Sequence, residues 1–169
     1  MTTDNRNRLN QLIWAMIDYY DGDAGRIQHF TKVYTLAKWI AESEDLDETT
    51  CDRIAALALT HDIGIKVAVD QHGYCNAQMQ EQLGPAAAKK LLDSLGFDRA
   101  LVDRVCTVIG RHHTYTDIDG IDCQILIEAD TLVNLQEGTQ KTPALAHAYE
   151  YIFRTKAGKN LLQKMYPMS

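Results

Sequence analysis

Long hydrophobic runs are missing from this sequence. No apolar stretch approaches the ~20 residues needed to cross a bilayer, and the polar start Met1-Thr2-Thr3-Asp4-Asn5-Arg6 lacks the apolar core of a signal peptide. The expectation is a cytosolic protein without a membrane partner. Positive charge is also short: the formal net charge is −6. No general field therefore attracts nucleic acid or an anionic surface, and any anionic substrate must be recruited locally by a few basic groups or a metal. Cysteine is sparse and scattered. Cys51, Cys75, Cys106 and Cys123 form no C-x-x-C pair, three of them fall in apolar stretches, and they read as small buried thiols. Neither a G-x-G-x-x-G nor a Walker A pattern occurs. Gly138-Thr139-Gln140-Lys141-Thr142 lacks the second glycine beside the lysine, and no G-x-S-x-G elbow marks a serine hydrolase.

Alternation of the strand type is nearly absent as well, and helical periodicity takes its place. The 169 residues are 46% hydrophobic and 24% charged, enough to bury a core in one domain without disulfides or structural metal. Apolar spacing predicts helices over about Arg6–Tyr20 and Gly25–Glu42, then one that ends in His61-Asp62 with Gly64 as its C-terminal stop. Ile65–Asn76 reads as the least regular stretch, a candidate lid. A helix resumes at Ala77 and runs to Ser94, re-set at Gly84-Pro85. Asp98 caps a helix to about His113, Thr114–Asp122 is a polar loop, and Asp122 opens a helix through Leu135. Thr142-Pro143 opens a last long helix to about Lys156, with a short tail over Lys159–Met165. The expected architecture is all-α, a single compact domain over 1–169 of roughly six to eight helices. Its motif-bearing core lies at about 25–135 and its C-terminal helices at 143–165.

Against this pattern a few polar residues stand on apolar faces. His61 continues the stripe of Ile54, Leu57 and Ala58, and Asp62 continues that of Ala55, Ala58 and Leu59. An imidazole and a carboxylate forced into apolar surroundings are costly unless compensated. His29 shares the inward stripe of Val33 and Leu36, Asp130 that of Leu126 and Val133, and His112-His113 close another apolar helix. Singly, each has an ordinary reading as a hydrogen-bonded core histidine or a paired aspartate. Together, two imidazoles and two carboxylates from three helices point to a divalent cation. Mixed imidazole and carboxylate donors suit Mn²⁺, Fe²⁺, Co²⁺ or Ni²⁺ better than Mg²⁺, and no cysteine spacing supports a closed structural zinc site. Neighbouring helical residues point about 100° apart, so His61 and Asp62 can share an ion only at a helix terminus.

The ordered set His29, His61-Asp62 with Ile63-Gly64, and Asp130 within Glu128-Ala129-Asp130 resembles the HD-domain superfamily of metal-dependent phosphohydrolases. Arg26-Ile27-Gln28-His29, Ala55-Ala56-Leu57 and Ile109-Gly110-Arg111-His112-His113 carry the same likeness, which spans about Gly25 to Leu135. The resemblance implies that His29, His61, Asp62 and Asp130 bind a catalytic divalent metal, and that a metal-activated water hydrolyses a phosphoester of a small metabolite or nucleotide. Some members carry a second metal through further histidines. His112 or His113 fills one such place here, but Gln80-Glu81 stand where the other histidine would be. Asp62, Lys66 and Glu81 are the candidates for the catalytic step, Glu81 as carboxylate ligand or general base. Arg26, Lys66, Arg111, His112 and His113 are the candidates for contacting substrate, whereas His72 and His147 read as incidental. Two other functions fit the same residues: a dinuclear-iron oxygenase of related fold, and a nucleotide-sensing domain that keeps the metal without turnover.

Overall fold

Each amphipathic stretch of the chain becomes a helix in the computed structural model, which describes residues 3–115, 118–138 and 144–166. The order is α1 (Thr3–Tyr19), α2 (Ala24–Ser43), α3 (Glu48–Thr60), α4 (Gly64–His72), α5 (Ala77–Ser94), α6 (Arg99–Ile109), α7 (Gly120–Gln136), α8 (Ala144–His147) and α9 (Lys156–Met165). A π-helical turn, Ala148–Ile152, extends α8. No strand occurs among the described residues. Polar caps set several starts: Asp23, Asp47, Asn76, Asp98 and Thr155 each accept a backbone N–H three residues on.

Two helices form the centre. Ile54 through Thr60 of α3 and Asp122 through Val133 of α7 are buried on every side, and α2 packs against both. A fully buried side chain such as Ile54 or Leu57 stabilises this core by about 1.5–3 kcal/mol. The helix pairs α4–α5 and α5–α6 stack beside it, while α1 covers α3.

Several expected boundaries move, each for a packing reason. Gly64 does not stop α3. It opens α4, and its lack of a side chain matters because a Cβ there would lie 2.9 Å from both Gln80 O and Gly84 N. Backbone meets backbone where α4 crosses α5, so most of Ile65–Asn76 is a packed helix rather than an irregular lid. That helix ends at Gly73, whose φ of 78° an L side chain would resist. Pro85 lies inside α5 instead of starting a new helix. Its carbonyl accepts the Cys106 thiol at 3.3 Å, which ties α6 to α5 beside the proline. α6 stops at Ile109, leaving His112 and His113 in a turn. α7 starts at Gly120, with Asp122 buried in its first turn between Arg53 and Arg104.

Thr142-Pro143 lies outside the described residues. The long helix expected to reach Lys156 breaks at Phe153, where the buried Glu128 carboxylate takes the backbone N–H groups of Arg154 and Thr155 out of any helical ladder. Of the four free thiols only Cys123 is fully buried; Cys51 and Cys106 are partly buried against the core, and Cys75 is partly buried elsewhere. No described helix is long and apolar enough to cross a membrane.

Candidate metal centre

His29 arrives from the second turn of α2, His61 and Asp62 from the turn after α3, His112 from the turn after α6, and Asp130 from α7. His29 Nε2 lies 3.4 Å from His61 Nε2, 3.5 Å from Asp62 Oδ2 and 3.2 Å from Asp130 Oδ1. His61 Nε2 lies 3.6 Å from each of the same two carboxylate oxygens. The far side of every ring is tethered. His29 Nδ1 meets Glu137 Oε2 at 3.0 Å, His61 Nδ1 meets Ala58 O at 2.9 Å, and His112 Nδ1 meets Ile109 O at 2.8 Å. Those tethers select tautomers with the hydrogen on Nδ1, which turns the Nε2 lone pairs of His29 and His61 toward one another.

Such an arrangement repels itself until a proton or a metal cation takes the middle. Ligand atoms about 2.1 Å from one ion stand roughly 3.0–3.4 Å apart in octahedral or tetrahedral geometry, close to the spacings seen here. His112 supplies a second sign. Its Nε2 is buried, has no hydrogen-bond partner among the described residues, and stands 3.9 Å from Asp62 Oδ1. Asp62 therefore faces two donor groups able to hold a metal: His29, His61 and Asp130 on one side, and its own group with His112 and His113 on the other. The residues present fit a divalent cation.

Electrostatics lead the same way. Burial opposes charge on His61, yet Asp62 and Asp130 outweigh it and push the imidazole up to about 9. Burial also opposes ionised Asp62 and Asp130, but the facing imidazoles hold Asp62 down to about 2 and Asp130 well below the ordinary carboxylate range. Positive charge is wanted at this point.

The dyad meets the angular demand by standing at a helix terminus: α3 ends at Thr60, and although His61 and Ile63 keep right-handed helical dihedrals, the ladder tightens, with Ile63 N donating to Thr60 O at 3.0 Å and Ile65 N to Asp62 O at 2.9 Å. The last residue of α1 and Tyr20 just after it hold that turn from outside. Tyr20 donates its hydroxyl to Asp62 O at 2.7 Å and Tyr19 to Ile63 O at 3.0 Å.

A cavity of about 200 Å³ opens onto the centre, lined by His29, Asp62 and Asp130 and by Arg26 and His113 among the other expected residues. Arg26 Nη1 lies 3.8 Å from Asp62 Oδ2. Burial and the neighbouring His112 pull His113 down to about 4, and its Nε2 meets Gln80 Oε1 at 2.9 Å. Three expected residues are not brought here. Lys66 sits on the outer face of α4 opposite Asp70, because the close approach at Gly64 turns Ile65 to the cavity instead. Glu81 braces the turn after α6, accepting from His113 N at 3.0 Å and Thr114 Oγ1 at 3.1 Å. Arg111 is absent from the lining and lies within electrostatic reach of Cys123. His72 is exposed at the end of α4, and His147 stacks on Tyr151.

Sequence reasoning missed Asn134, Glu137 and Cys75, which line the same cavity. A signal existed for two of them: Asn134 and Glu137 follow Asp130 by four and seven residues, on one helical face.

Comparison with known proteins meets this geometry. The HD domain family model matches residues 26–135. A solved structure described as a predicted HD superfamily hydrolase, from an uncultured Thermotogales bacterium, superposes with a TM-score of 0.63 at 27% identity. The match covers 95% of this chain and 84% of that one. No match was found among curated proteins. The family match takes in more than half of the sequence and includes His29, His61-Asp62, His112 and Asp130, and on that ground the chain belongs to the HD-domain family.

Proposed function

We propose that this protein is a metal-dependent phosphohydrolase that cleaves a phosphoester of a small metabolite or nucleotide. One observation carries the reading: His29 and His61 turn their Nε2 atoms, and Asp62 and Asp130 their carboxylates, onto one point, while the far ring nitrogens are tied down. These four residues would hold the cation. Two imidazole donors favour Mn²⁺, Fe²⁺, Co²⁺ or Ni²⁺ over Mg²⁺. Bound there, a divalent cation supplies Lewis acidity toward a phosphoryl oxygen and activation of a water.

The remaining steps fall to the chain. Arg26, at the cavity wall, offers a guanidinium to a phosphate oxygen and offsets its charge. His113, neutral at pH 7, keeps its Nε2 engaged with Gln80 and shapes the wall without adding charge. His112 Nε2, buried and without a hydrogen-bond partner among the described residues, stands 3.9 Å from Asp62 Oδ1, where it could pass a proton to or from a water beside that carboxylate. The cavity admits a phosphoryl group and the atoms next to it; a nucleoside portion would extend past its mouth.

The test is elemental analysis of the purified protein, joined to a hydrolysis screen of phosphorylated metabolites with Mn²⁺, Co²⁺, Ni²⁺ and Mg²⁺. The expected result is bound transition metal and release of inorganic phosphate, with both lost in Asp62→Ala while the helical circular dichroism is kept. A protein that neither carries nor takes up metal would defeat the proposal.

A further inference from the structure

The three imidazoles of the centre are not held alike. His61 and His112 each follow a helix end and tie Nδ1 to a carbonyl three residues back, Ala58 O and Ile109 O. Both carbonyls belong to a last helical turn, where backbone acceptors have no amide partner within the helix. His29 is held differently. It lies inside α2 (Ala24–Ser43), and its Nδ1 takes no carbonyl of that helix.

Its Nδ1 partner comes from another element, Glu137 at the C-terminal end of α7, 3.0 Å away. A carboxylate is poorly placed at that end, because the helix macrodipole is negative there. Two groups on α2 offset the cost: His29 on Glu137 Oε2, and Lys32 Nζ on Glu137 Oε1 at 2.7 Å. Seven residues earlier on α7, Asp130 Oδ1 meets the other nitrogen of the same ring at 3.2 Å. One helix thus grips both nitrogens of His29, and Glu137 stands two residues beyond the matched family region, which ends at 135.

Building on the metal-dependent reading above, we infer that Glu137 is a positioning residue for the metal centre. It fixes His29 with Nε2 turned inward, and its negative charge makes this imidazole a stronger donor than the two held by backbone. Carboxylate partners of ligating histidines orient the ring and raise its basicity, and their loss costs about 10–100-fold in metal affinity.

The experiment uses the full chain and Zn²⁺ alone as a diamagnetic probe, with affinity read by chelator competition and ring N–H protons by NMR. The native protein should show slowly exchanging Nδ1–H protons on the tethered rings. Glu137→Ala should weaken Zn²⁺ binding by about 10–100-fold and lose the His29 ring proton while His61 and His112 keep theirs. Glu137→Gln retains an acceptor oxygen, so it should restore the His29 proton and recover only part of the affinity. Thermal unfolding of both variants reports whether the fold is kept. Glu137→Ala binding within about twofold of native, with the His29 proton intact, would overturn the inference. A glutamine variant indistinguishable from alanine would overturn its hydrogen-bonding part. Failure of the native chain to bind Zn²⁺ would instead strike at the metal-dependent reading itself.

Discussion

Glu128 and Asp130 are both buried carboxylates on α7, two residues apart, and the chain treats them in opposite ways. Glu128 is surrounded by donors that belong to the protein. Its Oε1 accepts from Gln124 Nε2 at 2.7 Å, Arg154 N at 2.6 Å and Thr155 N at 2.9 Å, while Oε2 takes the Thr155 hydroxyl. The site is also shut sterically, since a Cβ on Gly158 would fall 1.9 Å from Oε2. Asp130 has one such donor, Asn134 Nδ2 at 2.9 Å on Oδ2, and turns Oδ1 toward the Nε2 atoms of His29 and His61. A buried charge closed by neutral donors fastens one segment to another. A buried charge facing nitrogen lone pairs calls for a cation, and its surroundings stay open to a cavity.

That contrast can be broken by experiment. The largest effect is expected at the closed site. Glu128→Gln replaces an acceptor oxygen with an amide nitrogen among groups that all donate, so unfolding stability should drop by about 3 kcal/mol. Metal uptake per folded molecule should not change. Denaturant titration and metal analysis on the same preparation check both halves, and lost metal binding in a fully folded variant would erase the distinction.

An intermediate effect is expected at Asp122, a carboxylate closed by charge instead of by neutral donors. Burial would raise its pKa, but Arg104 and then Arg53 hold it below the ordinary carboxylate value. With the folded pKa depressed, the stabilisation is present above the unfolded pKa of about 3.9 and fades as pH falls through the lower folded value. Asp122→Asn should therefore cost about 2 kcal/mol at pH 7, with the gap to native closing on acidification below about pH 4. Equal gaps at pH 7 and pH 3 would sink this account. The smallest effect belongs to Lys66. Exposed on α4 and facing Asp70 at 3.9 Å, it should tolerate alanine within about 0.5 kcal/mol, with metal uptake per folded molecule equal to that of the native chain.

The donors of the open site were legible because they break periodicity. His29, His61 and Asp130 are polar letters at inward positions of otherwise apolar helices, and no neighbour in sequence accounts for them. Glu128 breaks periodicity in the same manner and was read only as context. Nothing in its own helix shows that the chain returns after Phe153 to aim two amides and a hydroxyl at it. Lys66 and Arg111 rest on adjacency to the motifs, and adjacency misleads because each helical step turns the side chain by about 100°; Glu81 rests on the resemblance alone, standing where a second-metal histidine would be. Gly64 reads as a stop by composition, whereas its role comes from the α5 backbone beside it.

By itself the sequence determined that the chain would be helical, which faces would turn inward, that Asp98 would cap a helix, and which imidazoles and carboxylates would be carried into the core. Spacing and local hydrogen bonding govern those properties, and both are written along the chain. Only the tertiary structure decided that α3 ends at Thr60 so the dyad can share one point, that Asp62 looks toward both donor groups, and that Glu137 rather than a backbone carbonyl holds His29. These depend on helix ends and on contacts between residues as far apart as 29 and 137, where the partner of a side chain is set by packing and not by its neighbours in sequence.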